Sequence, residues 1–255
     1  MSQFIASAEA QPRTLNEAAY RAIRLAILRC ELRPGERLLF DTLKARYEVG
    51  TSPLREAMSR LAAEGLIVFE SHKGARVAGI SMEDFLDLVS LRQLVECEAL
   101  RRAIRLGDDH WEAALVASYH YYAKASRNPD AVSGDRERRH HDFHLALVSG
   151  CGSKRLLETR EIYYAQSERY RLLGLAFRHL QKRQRDGNVE HREIMEDALN
   201  RDAAAACKRL EAHLEKTIEE VSFALGQLKG DDGMPVVPAA AGRSRVKRPP
   251  VAQAG

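Results

Sequence analysis

Two histidines four residues apart, His140 and His144, give this sequence its clearest sign of metal chemistry. Residues at positions i and i+4 project from the same helix face, so both imidazoles can reach one ion. His191 and His213 lie on apolar faces of two later helical patterns. Because separate helices of a bundle can bring such side chains together, the pattern predicts a four-histidine site for a divalent ion. Imidazole nitrogens favour zinc or nickel over magnesium or calcium.

The histidine pattern leaves three alternatives open. Taken singly, each histidine more often packs or caps in a protein than binds a metal. The His-x-x-x-His spacing is also the skeleton of the H-E-x-x-H metalloprotease motif, but His141 stands where that motif has its general base. We therefore expect no enzyme, with a metal-dependent hydrolase as the less favoured reading. In the third alternative the metal is itself the signal, and the protein is a metal sensor.

A second group of residues has the types and spacing for contact with DNA. The start of one short helical pattern is polar, and an arginine there can bind guanine O6 and N7 with two hydrogen bonds. A predicted hairpin tip follows, where a glycine lets the backbone approach a phosphate closely. The DNA contacts that we expect are Arg37, Thr51, Ser52, Arg55, His72, Lys73 and Gly74.

The surrounding elements predict a winged helix-turn-helix over residues 14–80. Ser52 is the predicted N-cap of the second helix of the motif, and Pro53 is its first helical residue. A helix, a turn, a helix and a hairpin in this order place the second helix in a DNA major groove. The predicted elements are a first helix from Thr14 to about Leu32, helices over Thr42–Tyr47 and Pro53–Glu64, and strands over Leu66–Phe69 and Ala75–Val77.

Residues 81–228 predict an all-α domain. Ser81 starts a long helical pattern, and glycine and proline breaks divide the rest into further helices without strand signals. A bundle of about six helices follows, so the fold class is mostly α. We expect residues 1–13 and 229–255 to be disordered tails, the second with a basic run at Arg243–Arg248.

Composition excludes several classes of protein. Apolar residues make up 45% of the 255 residues, and no apolar run approaches the ~20 residues of a membrane span. The N-terminus lacks the apolar core of a secretory signal, and the four cysteines lack C-x-x-C spacing, so we expect a cytoplasmic protein with isolated thiols. Residues 14–80 carry 11 Lys and Arg against 8 Asp and Glu, a surplus that suits phosphate contact.

Three motifs in the first third of the chain resemble the DNA-binding domain of GntR-family transcription regulators. They are PGERL at Pro34–Leu38, SPLREAMSRLAAEGL at Ser52–Leu66 and KGARV at Lys73–Val77. The resemblance covers roughly residues 15–80 and implies a homodimer that binds an inverted repeat in double-stranded DNA. Many members carry arginine where this chain has Thr51, so the operator sequence does not transfer.

HDFHLALVSGCGSKRLL, at His141–Leu157, resembles the core of the FCD effector domain of the FadR-like branch of that family. The resemblance implies a metal held by His144, His191 and His213, with His140, where aspartate is usual, as a weaker fourth ligand. It also places Arg92 in the effector pocket. Arg139-His140, Ser149–Ser153 and Arg169–Arg171 look most like the glutarate-utilisation (carbon-starvation-induced) repressors. This implies a repressor released by a small carboxylate, either glutarate or a 2-hydroxy or 2-oxo relative.

Overall fold

The computed structural model describes residues 15–70, 74–127, 133–181 and 185–227. The predicted tails and the predicted DNA contacts His72 and Lys73 lie outside these residues. Within them, the predicted fold class is confirmed: a winged helix-turn-helix precedes an all-α domain of six helices. The elements are α1 (Leu15–Leu28), β1 (Arg37–Leu38), α2 (Phe40–Tyr47), α3 (Thr51–Ala63), β2 (Ile67–Glu70), β3 (Gly74–Val77), α4 (Met82–Leu106), α5 (Asp109–Ser126), α6 (Ser133–Ser149), α7 (Lys154–Phe177), α8 (Gly187–Leu199) and α9 (Ala203–Gln227).

The N-terminal head, residues 15–77, packs three helices against a small antiparallel sheet. The strand order is β1-β3-β2, with Ile67 opposite Val77 and Leu38 opposite Ala75. Apolar residues from α1, α2 and α3 meet the inward side of this sheet in one core. Burial of these residues fixes α3 relative to the wing. The hydrophobic effect stabilises this arrangement.

Two local predictions for the head were wrong, and one short strand was missed. Helix α1 ends at Leu28 rather than near Leu32, because Cys30 takes a left-handed backbone conformation with φ of 55°. Helix α3 begins at Thr51 with Gly50 as its N-cap, so Ser52 lies inside the first turn and caps nothing. The two-residue strand β1 had not been predicted, because two residues are too few to show strand alternation.

Side-chain caps set the starts of the bundle helices. Ser81 accepts a hydrogen bond from Asp84 N, Asp108 accepts one from Trp111 N, and Ser153 accepts one from Leu156 N. Each cap satisfies a backbone N–H that the helix leaves unpaired, contributing about 1 kcal/mol. Inside the bundle a single large core joins α4, α5, α6, α8 and α9.

Helix α7 lies against both the head and the bundle. Arg169 donates from Nη1 to Ala78 O at 2.9 Å and from Nη2 to Gly79 O at 2.8 Å, so it binds the segment that joins the two parts. Leu172 packs on the core of the head. Gly65 has φ of +72°, and a Cβ there would lie 2.8 Å from Gln166 Nε2, so glycine permits this close approach. No helix in the described part of the chain has both the length and the apolar character of a membrane span.

Candidate metal and effector site

The structure brings the four predicted histidines together inside the bundle. His140 and His144 come from α6, His191 from α8 and His213 from α9, and all four are buried. One nitrogen from each lies within 4.8 Å of the other three. These four side chains are called the imidazole cluster below. No other group of three or more potential ligands of this kind is found among the described residues.

Hydrogen bonds orient three of the rings through their Nδ1 atoms. His140 Nδ1 lies 2.9 Å from the Tyr164 hydroxyl, and His213 Nδ1 lies 2.9 Å from Glu190 Oε2. His191 Nδ1 donates to the carbonyl of Gly187, one turn earlier on α8. The Gly187 carbonyl can only accept, so it fixes the tautomer of His191 and leaves the lone pair of that ring on Nε2, where a metal can bind. The Nε2 atoms of His144 and His191 do face each other, 3.1 Å apart.

Burial keeps the imidazole cluster uncharged. It lowers the pKa of His140, His144 and His191 well below the usual value, and the neighbouring histidines and arginines lower it further. The pKa of His213 is lowered by burial as well, against the opposing effect of its hydrogen bond to Glu190. Only a neutral imidazole has a lone pair for a metal. The four rings are therefore in the protonation state that binding requires.

The donor set fits a divalent transition metal. Nitrogen ligands lie about 2.0–2.1 Å from zinc in a tetrahedron, so two of them are about 3.3 Å apart. The four cluster nitrogens lie within 4.8 Å of one another, and rotation of the side chains would bring them to that spacing around an ion. His144 Nδ1 is buried and has no hydrogen-bond partner among the described residues. A role in packing alone would therefore leave a buried polar atom unsatisfied. Four imidazole donors without a carboxylate suit zinc or nickel better than magnesium or calcium.

A cavity of about 150 Å³ opens beside the imidazole cluster and reaches His140, His191 and His213. Four arginines also line it: Arg136, Arg171, Arg178 and Arg185. Three of these are paired with buried carboxylates. Arg171 binds Glu168, Arg178 binds Glu220 at 2.8 Å, and Arg185 binds Glu190 at 2.6 Å. We call this space the arginine-lined cavity.

The arginine-lined cavity offers guanidinium donors that can bind an anion. Arg136 has no ion pair with any described residue, so its guanidinium donors are free to bind a ligand. The Arg185 guanidinium also helps to hold the pKa of Glu190 far below its usual range, together with the hydrogen bond to His213, although burial opposes this. Three of the arginines are thus paired with carboxylates, and the fourth, Arg136, shares the cavity with the carboxylate of Asp186.

Arg92, the predicted effector contact, lies deeper than the arginine-lined cavity and does not line it. Its Nε and Nη2 both donate to Glu96 Oε1, at 2.9 and 2.6 Å, and its Nη1 donates to Ser167 at 2.8 Å. The Arg92 guanidinium lies 5.1 Å from the ring centroid of Tyr164, the partner of His140. Arg92 is therefore close to the imidazole cluster but already engaged by a carboxylate.

The predicted DNA contacts that the structure describes lie on the outer surface of the head. Thr51, Ser52 and Arg55 are exposed on the first turns of α3, and the Arg55 side chain has no ion pair with a described residue. Arg37 is exposed on β1, and Gly74 begins β3 with φ of +90°. Both groups lie on the N-terminal head. Thr51, Ser52 and Arg55 are at the start of α3, and Arg37 and Gly74 are on strands of the sheet.

Several residues of the site had not been predicted from the sequence. Tyr164, Glu190 and Arg185 hold the imidazoles, and Arg160 lies fully buried beside Tyr164. Tyr164, Arg160 and Glu190 lie on polar helix stretches that look like solvent-exposed faces, and Arg185 lies in the loop before α8. The sequence did contain a sign of one of these residues. Glu190 directly precedes His191, and carboxylates commonly support metal-bound histidines.

Comparison with known proteins agrees with both halves of this architecture. Residues 15–77 match the family described as bacterial regulatory proteins, gntR family, and residues 87–216 match the FCD domain. The chain is 36% identical over 216 residues to the HTH-type transcriptional regulator BphR of Paraburkholderia xenovorans, covering 83% of this chain and 87% of that one. It is 35% identical over 198 residues to the HTH-type transcriptional repressor GlaR of Escherichia coli, covering 76% and 90%.

Solved structures show the same fold. E. coli McbR/YncC superposes with a TM-score of 0.66 at 16% identity, covering 82% of this chain and 98% of that one. A GntR-type regulator from Rhodococcus sp. RHA1 superposes with a TM-score of 0.60 at 22% identity, covering 82% and 98%. At these identities the likeness concerns the fold alone.

Proposed function

We infer the function of this chain from its family: it belongs to the GntR family of bacterial regulatory proteins and carries an FCD domain. It is a DNA-binding transcription regulator, and its family and relatives are regulators rather than enzymes. We propose that it is a cytoplasmic repressor. A small carboxylate, either glutarate or a 2-hydroxy or 2-oxo relative, releases it from DNA by binding beside a divalent metal ion.

One observation carries this proposal: a buried imidazole cluster borders a cavity lined by four arginines. Histidines alone would suit a structural metal, and arginines alone would suit any anion. Their juxtaposition suits a ligand that combines oxygen donors with negative charge, which is the chemistry of a carboxylate. The repressor name of the relative in E. coli supports the sign of regulation.

His144, His191 and His213 would hold the metal, with His140 as a fourth and weaker ligand. A bound zinc or nickel ion would supply positive charge and coordination positions for carboxylate oxygens. Tyr164, Glu190 and Gly187 hold the rings of His140, His213 and His191 in place. We propose Arg92 as a further contact of the carboxylate, after release of part of its pairing with Glu96.

On the head, we propose that Thr51, Ser52 and Arg55 meet bases and phosphates in a major groove. Arg37, His72, Lys73 and Gly74 would contact the flanking backbone or groove wall. One recognition helix reads only a few base pairs, so a homodimer on an inverted repeat is expected. Sedimentation showing a monomer at micromolar concentration, with and without DNA, would rule this assembly out.

A metal sensor is the second candidate, because four neutral histidines can make a tight site without any organic ligand. DNA that flanks the gene of this protein, labelled for anisotropy, separates the two. The metal-free protein is titrated with zinc or nickel alone, and the metal-loaded complex is then titrated with glutarate. Release by glutarate only in the presence of metal supports the proposal. Release by metal alone favours the sensor, and no release by either contradicts both.

A further inference from the structure

Two of the four cysteines of this chain lie against each other inside the bundle. Cys97, on α4, and Cys207, on α9, are 110 residues apart in the sequence and are both buried in the same hydrophobic core. The Cys207 thiol donates to the Cys97 carbonyl at 3.5 Å, and the Cys97 sulfur lies 3.9 Å from the Cys207 carbonyl. Each side chain thus points at the backbone of the other residue. The expectation of isolated thiols does not hold for this pair.

The other two cysteines differ from this pair. Cys30 is half-buried in the head, and Cys151 is buried just after α6, where its thiol donates to the Ser153 carbonyl at 3.7 Å. Among the described residues, no hydrogen bond joins either of them to a cysteine. Disulfides that form inside cells are usually transient and catalytic or redox-sensing, so a facing pair of thiols is the arrangement that redox chemistry requires.

A surface cavity of about 340 Å³ gives small molecules access to Cys97. Its walls include Cys97, Leu94, Arg101 and Glu211. The Leu94 side chain is 70% exposed, so the cavity opens at the surface of α4. One water molecule occupies about 30 Å³ in the liquid, so hydrogen peroxide, which is little larger, has room to enter. Cys207 does not line this cavity, and Cys97 is therefore the sulfur of the pair that a solute meets first.

The surroundings give the two sulfurs different roles. The Cys97 thiol lowers the pKa of Cys207, and the Arg101 guanidinium lowers it further, although burial opposes both. The same contact raises the pKa of Cys97, and burial and Glu211 raise it as well. Cys207 is thus the sulfur that more readily becomes a thiolate, the form that attacks other sulfur atoms. The Cys97 thiol donates to Glu211 Oε1 at 3.6 Å, so this carboxylate can take its proton when the sulfur reacts.

We propose that Cys97 and Cys207 are a peroxide-sensitive modification site, at which oxidation closes a disulfide between α4 and α9. First, the Cys97 sulfur attacks one oxygen of hydrogen peroxide and the O–O bond breaks. Glu211 takes the thiol proton and passes it to the departing hydroxide, so the products are a sulfenic acid on Cys97 and water. The Cys207 sulfur then attacks the Cys97 sulfur, and hydroxide leaves with the Cys207 proton as a second water. The peroxide takes up the two electrons that the thiols lose.

The disulfide would join the helix that leaves the head to a helix of the imidazole cluster. Cys97 directly follows Glu96, the partner of Arg92, and Cys207 lies on α9 together with His213. Rotation of side chains that already face each other brings the sulfurs toward the length of an S–S bond, about 2.05 Å. The inference depends neither on a bound metal nor on a carboxylate.

Mass spectrometry of the oxidised full-length protein tests the site. The folded protein is exposed to hydrogen peroxide, alkylated with N-ethylmaleimide in denaturant and digested without reductant. We expect one linked pair of peptides, with Cys97 in one and Cys207 in the other. Free thiols should fall from four to two per chain, because Cys30 and Cys151 remain reduced, and dithiothreitol should restore all four.

Two variants separate a paired site from general oxidation. Cys207→Ala cannot complete the second step, so dimedone, which traps sulfenic acids, should label Cys97 in this variant. Cys151→Ala also removes a buried thiol and is the matched control. It should form the link between Cys97 and Cys207 as the wild type does.

Several results would overturn this inference. They are a wild type that keeps four free thiols in peroxide, a disulfide that joins other cysteines or two chains, and a folded Cys207→Ala in which dimedone leaves Cys97 unlabelled. The link is mapped in the wild type, so the test holds even where a variant fails to fold. The proposed function stands in each case, because neither cysteine belongs to the imidazole cluster or to the head.

Discussion

The neutrality of the imidazole cluster makes the metal-free protein sensitive to acid. Burial lowers the pKa of all four histidines in the fold, whereas in the unfolded chain each titrates near its ordinary value of ~6.5. Below that pH the unfolded chain binds protons that the folded chain does not. By linkage, the free energy of unfolding then falls as pH falls.

We therefore predict that the chelated protein loses up to ~1.4 kcal/mol of stability per pH unit for each buried histidine below about pH 6.5. Denaturant unfolding at pH 7.5 and pH 5.5 measures this. His140→Phe should reduce the loss by one histidine's share, and His110→Phe, at an exposed position, should leave it unchanged. A loss that is the same in both variants would show that other groups control acid stability.

The histidines of this site were predictable, and their supporting residues were not. His140 and His144 could be predicted because their spacing puts two imidazoles on one helix face and His191 and His213 lie on apolar faces of two later helices. Arg160 and Tyr164 have the same spacing on α7, but arginine and tyrosine occur on exposed helix faces everywhere. Only the packing of α7 against α4 and α9 shows that this polar face is buried.

Helix α3 presents the side chains that are expected to read DNA. Its inner face is fixed by Leu54, Met58 and Leu61, which are fully buried, and Arg55 is left exposed at the front. We predict that Arg55→Ala weakens specific binding by about 1–3 kcal/mol. Arg155→Ala, which removes an exposed charge from α7, is the matched control. Equal affinity of Arg55→Ala and wild type for the same operator would remove α3 from the major groove.

Long elements were predicted from the sequence more accurately than short ones. Long helices such as α4 and α9 repeat their apolar residues over many turns, and a cap such as Ser81 marks where one begins. Short elements depend on tertiary contacts instead. Strand β1 exists because Arg37 and Leu38 pair with β3, and α3 starts one residue before the predicted cap because Gly50 supplies the turn.

In the whole molecule, α7 connects the ligand site to the head. Arg160 and Tyr164 lie near the imidazole cluster, and Arg169, two turns further on, binds the carbonyls of Ala78 and Gly79. A ligand changes DNA affinity only through a difference in its affinity for two conformations. A shift of α7 would carry the effect of a ligand at the imidazole cluster to the DNA-binding head.

We predict that Arg169→Ala uncouples the two parts. In the wild type, glutarate should weaken operator binding by about 5–150-fold, the usual range of coupling between two sites. In Arg169→Ala that ratio should approach one, although glutarate and DNA each still bind. Anisotropy with and without glutarate measures the ratio, with Arg155→Ala as the control. A ratio unchanged by Arg169→Ala would place the coupling elsewhere.

Metal content tests the central claim most directly. Purified protein is reconstituted with zinc or nickel, dialysed and analysed for metal, together with His144→Ala and His213→Ala; the exposed His110→Ala serves as control. We predict about one ion per chain in the wild type and the control, and none in the two cluster variants, because each loses a nitrogen ligand of the same ion. Metal that persists in both variants, or a wild type that binds none after reconstitution, would contradict the account.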